Sequence, residues 1–118
     1  MQVVHLAAAA RSIPKTWEPR VVGEVNGHQV KVARLHGEFV WHAHEKEDEA
    51  FLVLEGNLLI RLRDRDLRLG PGDFVVIPRG VEHCPVAAEE VRCALFEPGT
   101  TVNTGTAGGP RTVEARPL

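Results

Sequence analysis

Turn residues interrupt this chain at short, regular intervals from residue 20 onward. Two apolar runs of strand length are separated at each of three places: Asn26-Gly27, Gly56-Asn57 and residues 70–73 (Gly-Pro-Gly-Asp). Asn-Gly between β-branched residues is typical of a hairpin, because both turn positions adopt positive φ. Seven or eight short strands without a sustained helical period predict an all-β sandwich or barrel.

Two consecutive predicted strands are apolar on both faces. They are expected at 39–44 and 49–55, after hairpin strands near 20–26 and 28–36. A strand that carries Trp or Leu on its outward face needs a cover. We therefore expect the N-terminal arm, a second subunit, or both to lie over this pair of strands.

The second half of the chain continues the pattern. Residues 74–77 predict a buried strand that ends at Pro78. Residues 81–85 predict a short strand carrying His83, and residues 91–96 predict the strand that closes the sheet.

The length of 118 residues is that of one domain. We expect residues 1–19 to form an N-terminal arm, with a short helix or an extended segment at 6–10. Residues 20–97 are expected to form the barrel. The Thr/Gly-rich residues 98–118 are expected to form a partly ordered tail on the barrel.

Charge and composition exclude several classes of partner. The formal net charge is −2 and the basic residues are scattered, so no nucleic-acid partner is expected. No apolar run approaches the roughly 20 residues of a membrane-spanning helix. The N-terminus lacks the pattern of a signal peptide, which predicts a cytosolic protein. Cys84 and Cys93 are then expected to be free buried thiols.

Three histidines and one glutamate are the candidate metal ligands. His42 and His44 are two residues apart, so on an extended strand both imidazoles lie on one face. Glu49 and His83 come from neighbouring segments, and the four together favour a divalent transition metal. A lone inward histidine is usually a satisfied core residue. An unpaired buried carboxylate is costly, however, and metal ligation removes that cost.

Other polar and aromatic residues have simpler expected roles. Glu47 and Asp48 are alternative carboxylates, but Asp48 lies on the face opposite Glu49 and is expected to be solvated or capping. Trp41 and Phe39 are expected in the core or an interface rather than against a substrate. The remaining expectations are core positions for Phe51, Phe74 and Phe96, an outer-face position for Arg61 and Arg63, and surface or turn positions for His5, His28 and His36.

Two stretches resemble the motifs of the cupin family. Residues 37–56 resemble the first motif, with Gly37, His42, His44, Glu49 and Gly56 at its fixed positions. Residues 72–83 resemble the second, with Gly72, Pro78, Gly80 and His83. Gly37 precedes His42 by one residue fewer than usual, and Ala87 replaces the terminal Asn of the second motif, which predicts an altered closing turn.

The resemblance implies a double-stranded β-helix, the cupin jelly-roll barrel. It also implies that His42, His44, Glu49 and His83 bind a metal, and that the protein forms a homodimer. The chain resembles small single-domain bacterial cupins, which are often labelled mannose-6-phosphate-isomerase-like. That label reflects a shared barrel rather than an activity.

Three functions remain open at this stage. The ligand set accepts one divalent ion among Fe, Mn, Co, Ni, Cu and Zn, with open positions for a small-molecule substrate. A redox-active metal predicts a dioxygenase-type oxidoreductase, and a redox-inert metal predicts a Lewis-acid isomerase or lyase. In either case Glu49 is expected to be a metal ligand and a candidate catalytic base. The alternatives are a non-catalytic binding or sensing module, and a barrel that has lost its metal. No further acid–base residue is expected inside the barrel.

Overall fold

The computed structural model describes residues 1–118, and its elements are nearly all strands. They are α1 (Leu6–Ser12), β1 (Arg20–Val25), β2 (His28–Glu38), β3 (Glu49–Glu55), β4 (Leu58–Leu62), β5 (Asp66–Leu69), β6 (Phe74–Ile77), β7 (His83–Pro98), a 3-10 turn (Gly105–Ala107) and β8 (Arg116–Pro117). The prediction of an all-β jelly roll is confirmed.

The long strand β7 organises the sheet. Along one edge it pairs antiparallel with β2 from Val86 to Pro98. On its other side it pairs first with β4, over residues 83–86, and then with β3, over residues 92–96. The sheet therefore divides into two parts that share β7. One part contains β5 and β4, the other contains β6 and β3, and the interior lies between them.

The first hairpin forms as its turn residues predict. Asn26 and Gly27 both have positive φ, at 51° and 82°, and β1 pairs with β2 across them, from Val25 opposite His28 back to Arg20 opposite Val32. Two consecutive positive φ values are the condition for the tight hairpin turn.

Two apolar clusters flank the sheet. The larger one fills the barrel, and Phe51, Val53, Ile60 and Val91 are among its members. The smaller one lies under α1, where Ala10 and Ile13 pack with Val32, Ala94 and the half-buried Leu52 and Leu54. Burying Ile13 contributes roughly 1.5–3 kcal/mol of apolar transfer free energy. The N-terminal arm thus provides the predicted cover over β3, while a second subunit stays a prediction.

The predicted third strand, 39–44, is wrong. Only His42 forms a β-bridge, with His83, and the segment is otherwise irregular. Its backbone groups bond to several different partners, since Phe39 N donates to Pro85 O and Gly80 N donates to His44 O. No single neighbour runs beside it for long enough to build a ladder.

Three further expectations for the second half are corrected. β6 is buried on one face only: Ile77 is 3% exposed, but Phe74 and Val76 are 58% and 48% exposed, because alternate side chains of a strand point to opposite faces. Residues 81–85 and 91–96 do not form separate strands. β7 runs through both regions and includes the buried Ala87, so no closing turn forms there.

The tail packs against the barrel. β8 pairs in parallel with β1, and Thr101 and Thr104 are buried. α1 has seven residues, and no helix in the structure combines the length and apolar character needed to span a membrane.

Candidate metal centre

His42 and His44 project from the irregular segment between β2 and β3, and backbone hydrogen bonds hold that segment on both sides. His42 N donates to His83 O at 3.0 Å, and His83 N donates to His42 O at 2.9 Å. On the other side, Thr106 N donates to Ala43 O at 2.9 Å, and Ala43 N donates to Thr106 Oγ1 at 3.1 Å. The histidine pair is therefore clamped between β7 and the tail.

Glu49 and His83 stand at the first residues of β3 and β7. Glu49 pairs with Ile77 of β6, and His83 pairs with Leu62 of β4. Both side chains are buried, with residue exposures of 5% and 0%. Strand ends inside a packed sheet are rigid positions, so these two groups need little ordering to bind a ligand.

The four side chains converge. One potential ligand atom from each of His42, His44, Glu49 and His83 lies within 4.8 Å of all the others. Glu49 Oε1 is 3.4 Å from His44 Nε2 and 3.5 Å from His83 Nε2. The group is close enough to hold one metal ion.

The hydrogen bonds of the rings fit a metal. Nδ1 of His42 and Nδ1 of His83 each lie 2.9 Å from a backbone oxygen, of Val40 and Val81 respectively. An Nδ1–H that donates to a carbonyl leaves the Nε2 lone pair free, which is the tautomer that metal-ligating histidines adopt. Nε2 of His83 and both ring nitrogens of His44 are buried without a hydrogen-bond partner. Buried polar atoms without partners are rare, and metal ligation would explain those that face the cluster.

Burial and neighbouring groups set the charge of the cluster. Burial acts to raise the pKa of Glu49, but contacts with Glu97, His44 and His83 outweigh it, so the pKa lies well below its ordinary value. Burial and then the nearby His83 lower the pKa of His42 to about 4. Near neutral pH the site thus presents an ionised carboxylate and a neutral His42, the forms that bind a metal ion.

The shift at His42 predicts that the metal-free protein loses stability in acid. Between about pH 6.5 and pH 4 the unfolded chain binds a proton at His42 that the folded chain does not. The free energy of unfolding therefore decreases as the pH is lowered through this range. The full shift corresponds to about 3 kcal/mol. Urea unfolding at pH 7 and pH 4 measures it, and His42→Gln isolates it from the other titrating groups. An equal loss of stability in wild type and variant would contradict the assignment.

A second carboxylate lies beside the cluster and was not expected. The side chain of Glu97, on β7, is 3% exposed and contacts Glu49; its Oε1 accepts a hydrogen bond of 2.7 Å from the equally buried Lys31 Nζ. Burial and then Glu49 raise the pKa of Glu97 well above its ordinary value, although Lys31 acts to lower it. The expectation that the barrel holds no further acid–base residue is therefore wrong.

The sequence carried a weak signal for this pair. Lys31 lies between Val30 and Val32, and Glu97 follows the apolar run that ends at Phe96. Gln29 faces Glu97 and Lys31 faces Leu95, so Lys31 and Glu97 are diagonal neighbours. Only the strand register reveals this relation.

A small cavity opens beside His42 and Glu49. Its volume is about 40 Å³, and Glu97 forms part of its wall. Phe39 lines it too and stacks on Trp17 with a centroid distance of 4.6 Å. Phe39, expected in the core or an interface, therefore forms part of the cavity wall, and its position relative to a substrate stays a prediction. Phe51, predicted to be a core residue, is buried and also lines the cavity.

Other candidate residues lie away from the cluster. Asp48 accepts a hydrogen bond from Arg79 N at 2.9 Å, the capping role expected of it. Trp41 is half-buried, and the guanidinium carbon of Arg63 lies 3.8 Å from its ring centroid. The remaining residues outside the cluster are the exposed His5, His28, His36, Arg61 and Arg63, the half-buried Glu47 and Phe96, and the free buried Cys84 and Cys93.

The tail reaches the cluster through Gly105. A Cβ atom at this position would lie 2.2 Å from Ala43 O and 3.1 Å from His44 Nδ1, and the residue has a φ of +48°. The close approach lets the turn at Gly105–Ala107 lie directly against the histidine segment. No motif in the tail indicates this contact with the histidine segment.

Comparison with known proteins places these features in a family. The model of the Cupin_2 family, described as "Cupin domain", matches residues 26–99. The chain is 39% identical over 80 residues to the uncharacterized protein YdbB of Bacillus subtilis, a match that covers 67% of this chain and 71% of YdbB. A cupin-2 domain containing protein from Shewanella frigidimarina has a similar structure, with a TM-score of 0.79 and 43% identity. The similarity covers 81% of this chain and 94% of that one.

One enzyme also matches over a shorter range. Acireductone dioxygenase of Rhodopseudomonas palustris is 40% identical over 47 residues. The match covers 36% of this chain and 28% of the enzyme, so this chain matches just over a quarter of that protein's length.

Proposed function

Because this chain belongs to the Cupin_2 family, we propose that it is a metal-dependent enzyme acting on a small molecule that chelates the metal. His42, His44, Glu49 and His83 would hold one divalent ion, chosen among Fe, Mn, Co, Ni, Cu and Zn by availability and affinity. The convergence of these four ligand atoms within 4.8 Å is the observation that carries the proposal. The barrel and the tail belong to one catalytic domain.

We favour a dioxygenase-type oxidoreductase. Support comes from the match to acireductone dioxygenase, short as it is, and from a ligand set without thiolate. A bound redox-active ion would supply dioxygen activation, and a redox-inert ion would supply Lewis acidity for an isomerase or lyase reaction. The cavity beside His42 and Glu49 gives a small substrate access to this end of the cluster.

The chain's own residues would position the substrate and move its proton. Phe39 and Phe51 provide an apolar wall that excludes water from the reacting group. Glu49 was predicted to be a possible base, but its carboxylate is needed as a ligand. Glu97 is better suited to proton transfer, because it lies beside Glu49 without belonging to the four ligands. Its raised pKa lets it hold a proton at Oε2, while Oε1 accepts from Lys31.

The proposal is tested by metal content and oxygen uptake. Protein purified without chelators or an affinity tag is expected to contain about one equivalent of transition metal per chain by elemental analysis. Iron-loaded protein is then supplied with an acireductone, a β-diketone, a catechol and a thiol in turn. Oxygen uptake is expected with at least one of them and not with Glu49→Gln.

The outcomes separate the candidate functions. Metal binding with no turnover of any of these compounds favours the binding or sensing module. Metal content below a tenth of an equivalent after reconstitution would contradict the proposal itself. His36→Gln, at an exposed histidine of β2, is the matched control and is expected to behave like wild type.

A further inference from the structure

The polar atoms that face the cavity are few. The amide of Asn103 lines it, and its Nδ2 donates to Arg111 O while its Oδ1 accepts from Val113 N, which uses one of its two N–H groups and one of its two lone pairs. His42 Nδ1 is paired with Val40 O. With His42 Nε2 and Glu49 assigned to the metal, Glu97 is the lining side chain whose buried oxygen has no hydrogen-bond donor.

Glu97 offers one oxygen to a ligand. Oε1 accepts the hydrogen bond from Lys31, and Oε2 is buried with no N–H or hydroxyl to accept from, because the Glu49 carboxylate beside Glu97 supplies no donor. A buried carboxyl oxygen without a donor costs free energy that a bound ligand would recover. A ligand hydroxyl meets this need in either protonation state of Glu97, because a hydroxyl both donates and accepts.

The rest of the cavity wall is apolar and carries no cation. Leu35, Phe39, Phe51 and Leu95 form much of it, and no Lys or Arg lines it. Lys31 Nζ is buried and bound to Glu97. Arg111 lies outside, with its guanidinium carbon 5.6 Å from the Phe39 ring centroid. A carboxylate or phosphate on the ligand would therefore be buried here without a cationic partner.

We infer that Glu97 determines specificity, and that the substrate carries a hydroxyl and no charge on the part that lies beyond its metal-chelating group. This inference rests on the proposed function, since it places the chelating group on the metal. A volume of about 40 Å³ corresponds to about three water molecules, so the hydroxyl-bearing arm is short.

The test uses four probes that share one metal-binding head. They are butanohydroxamic acid, 3-hydroxypropanohydroxamic acid, succinic acid monohydroxamate and the corresponding succinamide, which end in a methyl, a hydroxyl, a carboxylate and a carboxamide. Titration of the cobalt-loaded full chain, followed by the visible spectrum of Co(II), measures each Kd. The hydroxyl probe is expected to bind about tenfold more tightly than the methyl probe. The carboxylate is expected to bind about tenfold more weakly than its neutral carboxamide isostere.

Two variants test whether Glu97 causes the preference for the hydroxyl probe. Lys31→Met combined with Glu97→Leu removes the ion pair without leaving a buried charge, and it is expected to abolish the preference for the hydroxyl probe. Arg111→Gln is expected to leave all four affinities unchanged.

The outcomes distinguish a failure of the role of Glu97 from a failure of the metal site. Equal affinity for the hydroxyl and methyl probes, or for the carboxylate and carboxamide probes, would overturn the inference while the metal site stands. This comparison needs only the wild-type protein, so it holds even where the double variant fails to fold. No spectral response to any hydroxamate would contradict the proposed function and the inference with it.

Discussion

Replacing His83 by alanine is expected to lower the affinity for a divalent transition metal by more than about 100-fold, since loss of a residue that only supports a ligand already costs about 10–100-fold. His83 lies at the start of β7, where its Nδ1 is 2.9 Å from Val81 O and its buried Nε2 has no partner in the protein. The substitution removes one imidazole from the cluster and leaves three of its four ligand atoms. Competition with a chelator of known affinity measures the change.

Thermal unfolding provides the second readout for this variant. A metal that binds only the folded state stabilises it by about 2.7 kcal/mol at 100 times its Kd. Added metal is therefore expected to raise the Tm of the wild type and to leave that of His83→Ala unchanged. The exposed His36→Ala is the control for a lost imidazole. Unchanged metal content in purified His83→Ala would refute the ligand assignment.

Gly105→Ala is expected to damage the site from outside the barrel. The new Cβ atom would lie 2.2 Å from Ala43 O, and alanine would be held at a φ of +48°. Backbone strain and overpacking together are expected to cost about 4 kcal/mol of unfolding free energy. The chain relieves the clash by moving the tail away from the histidine segment, so His44 loses its fixed position. Metal affinity is expected to fall roughly 10–100-fold, as it does when other supporting residues are lost.

Gly108→Ala is the matched control for that prediction. Gly108 also has a positive φ, of +58°, but a Cβ atom there has no neighbour within 4 Å. Gly108→Ala is therefore expected to lose about 1–3 kcal/mol of unfolding free energy through backbone strain alone, with unchanged metal affinity. Equal metal affinities in the two variants would mean that the tail does not position His44. Chemical unfolding and isothermal titration with Co(II) measure both quantities.

Local signals in the sequence were reliable where the physics is local. Asn26-Gly27 predicted a hairpin because only a few residue types tolerate consecutive positive φ, and the structure has that hairpin. The strand predicted at 49–55 forms at Glu49–Glu55. The two histidines and the glutamate could be picked out because their spacing matches a known motif.

Expectations that depended on strand neighbours were less successful. Residues 39–44 have the composition of a strand, but a strand needs a continuous partner, and this segment finds one only at His42. Phe74 and Val76 were expected to be buried because they are apolar. Both lie on the face of β6 opposite the buried Ile77, and composition does not encode which face of an apolar strand is covered.

The amino-acid sequence alone determined the β architecture and the identities of the four candidate ligands, because turn chemistry and motif spacing are properties of contiguous residues. Tertiary structure alone decided the surroundings of those ligands. Lys31 and Glu97 are 66 residues apart and meet only through the register of β2 and β7. Gly105 reaches His44 only because the tail folds back across the barrel. Contacts between distant segments depend on how strands pair, and pairing is set by the packing of the whole chain rather than by any one stretch of it.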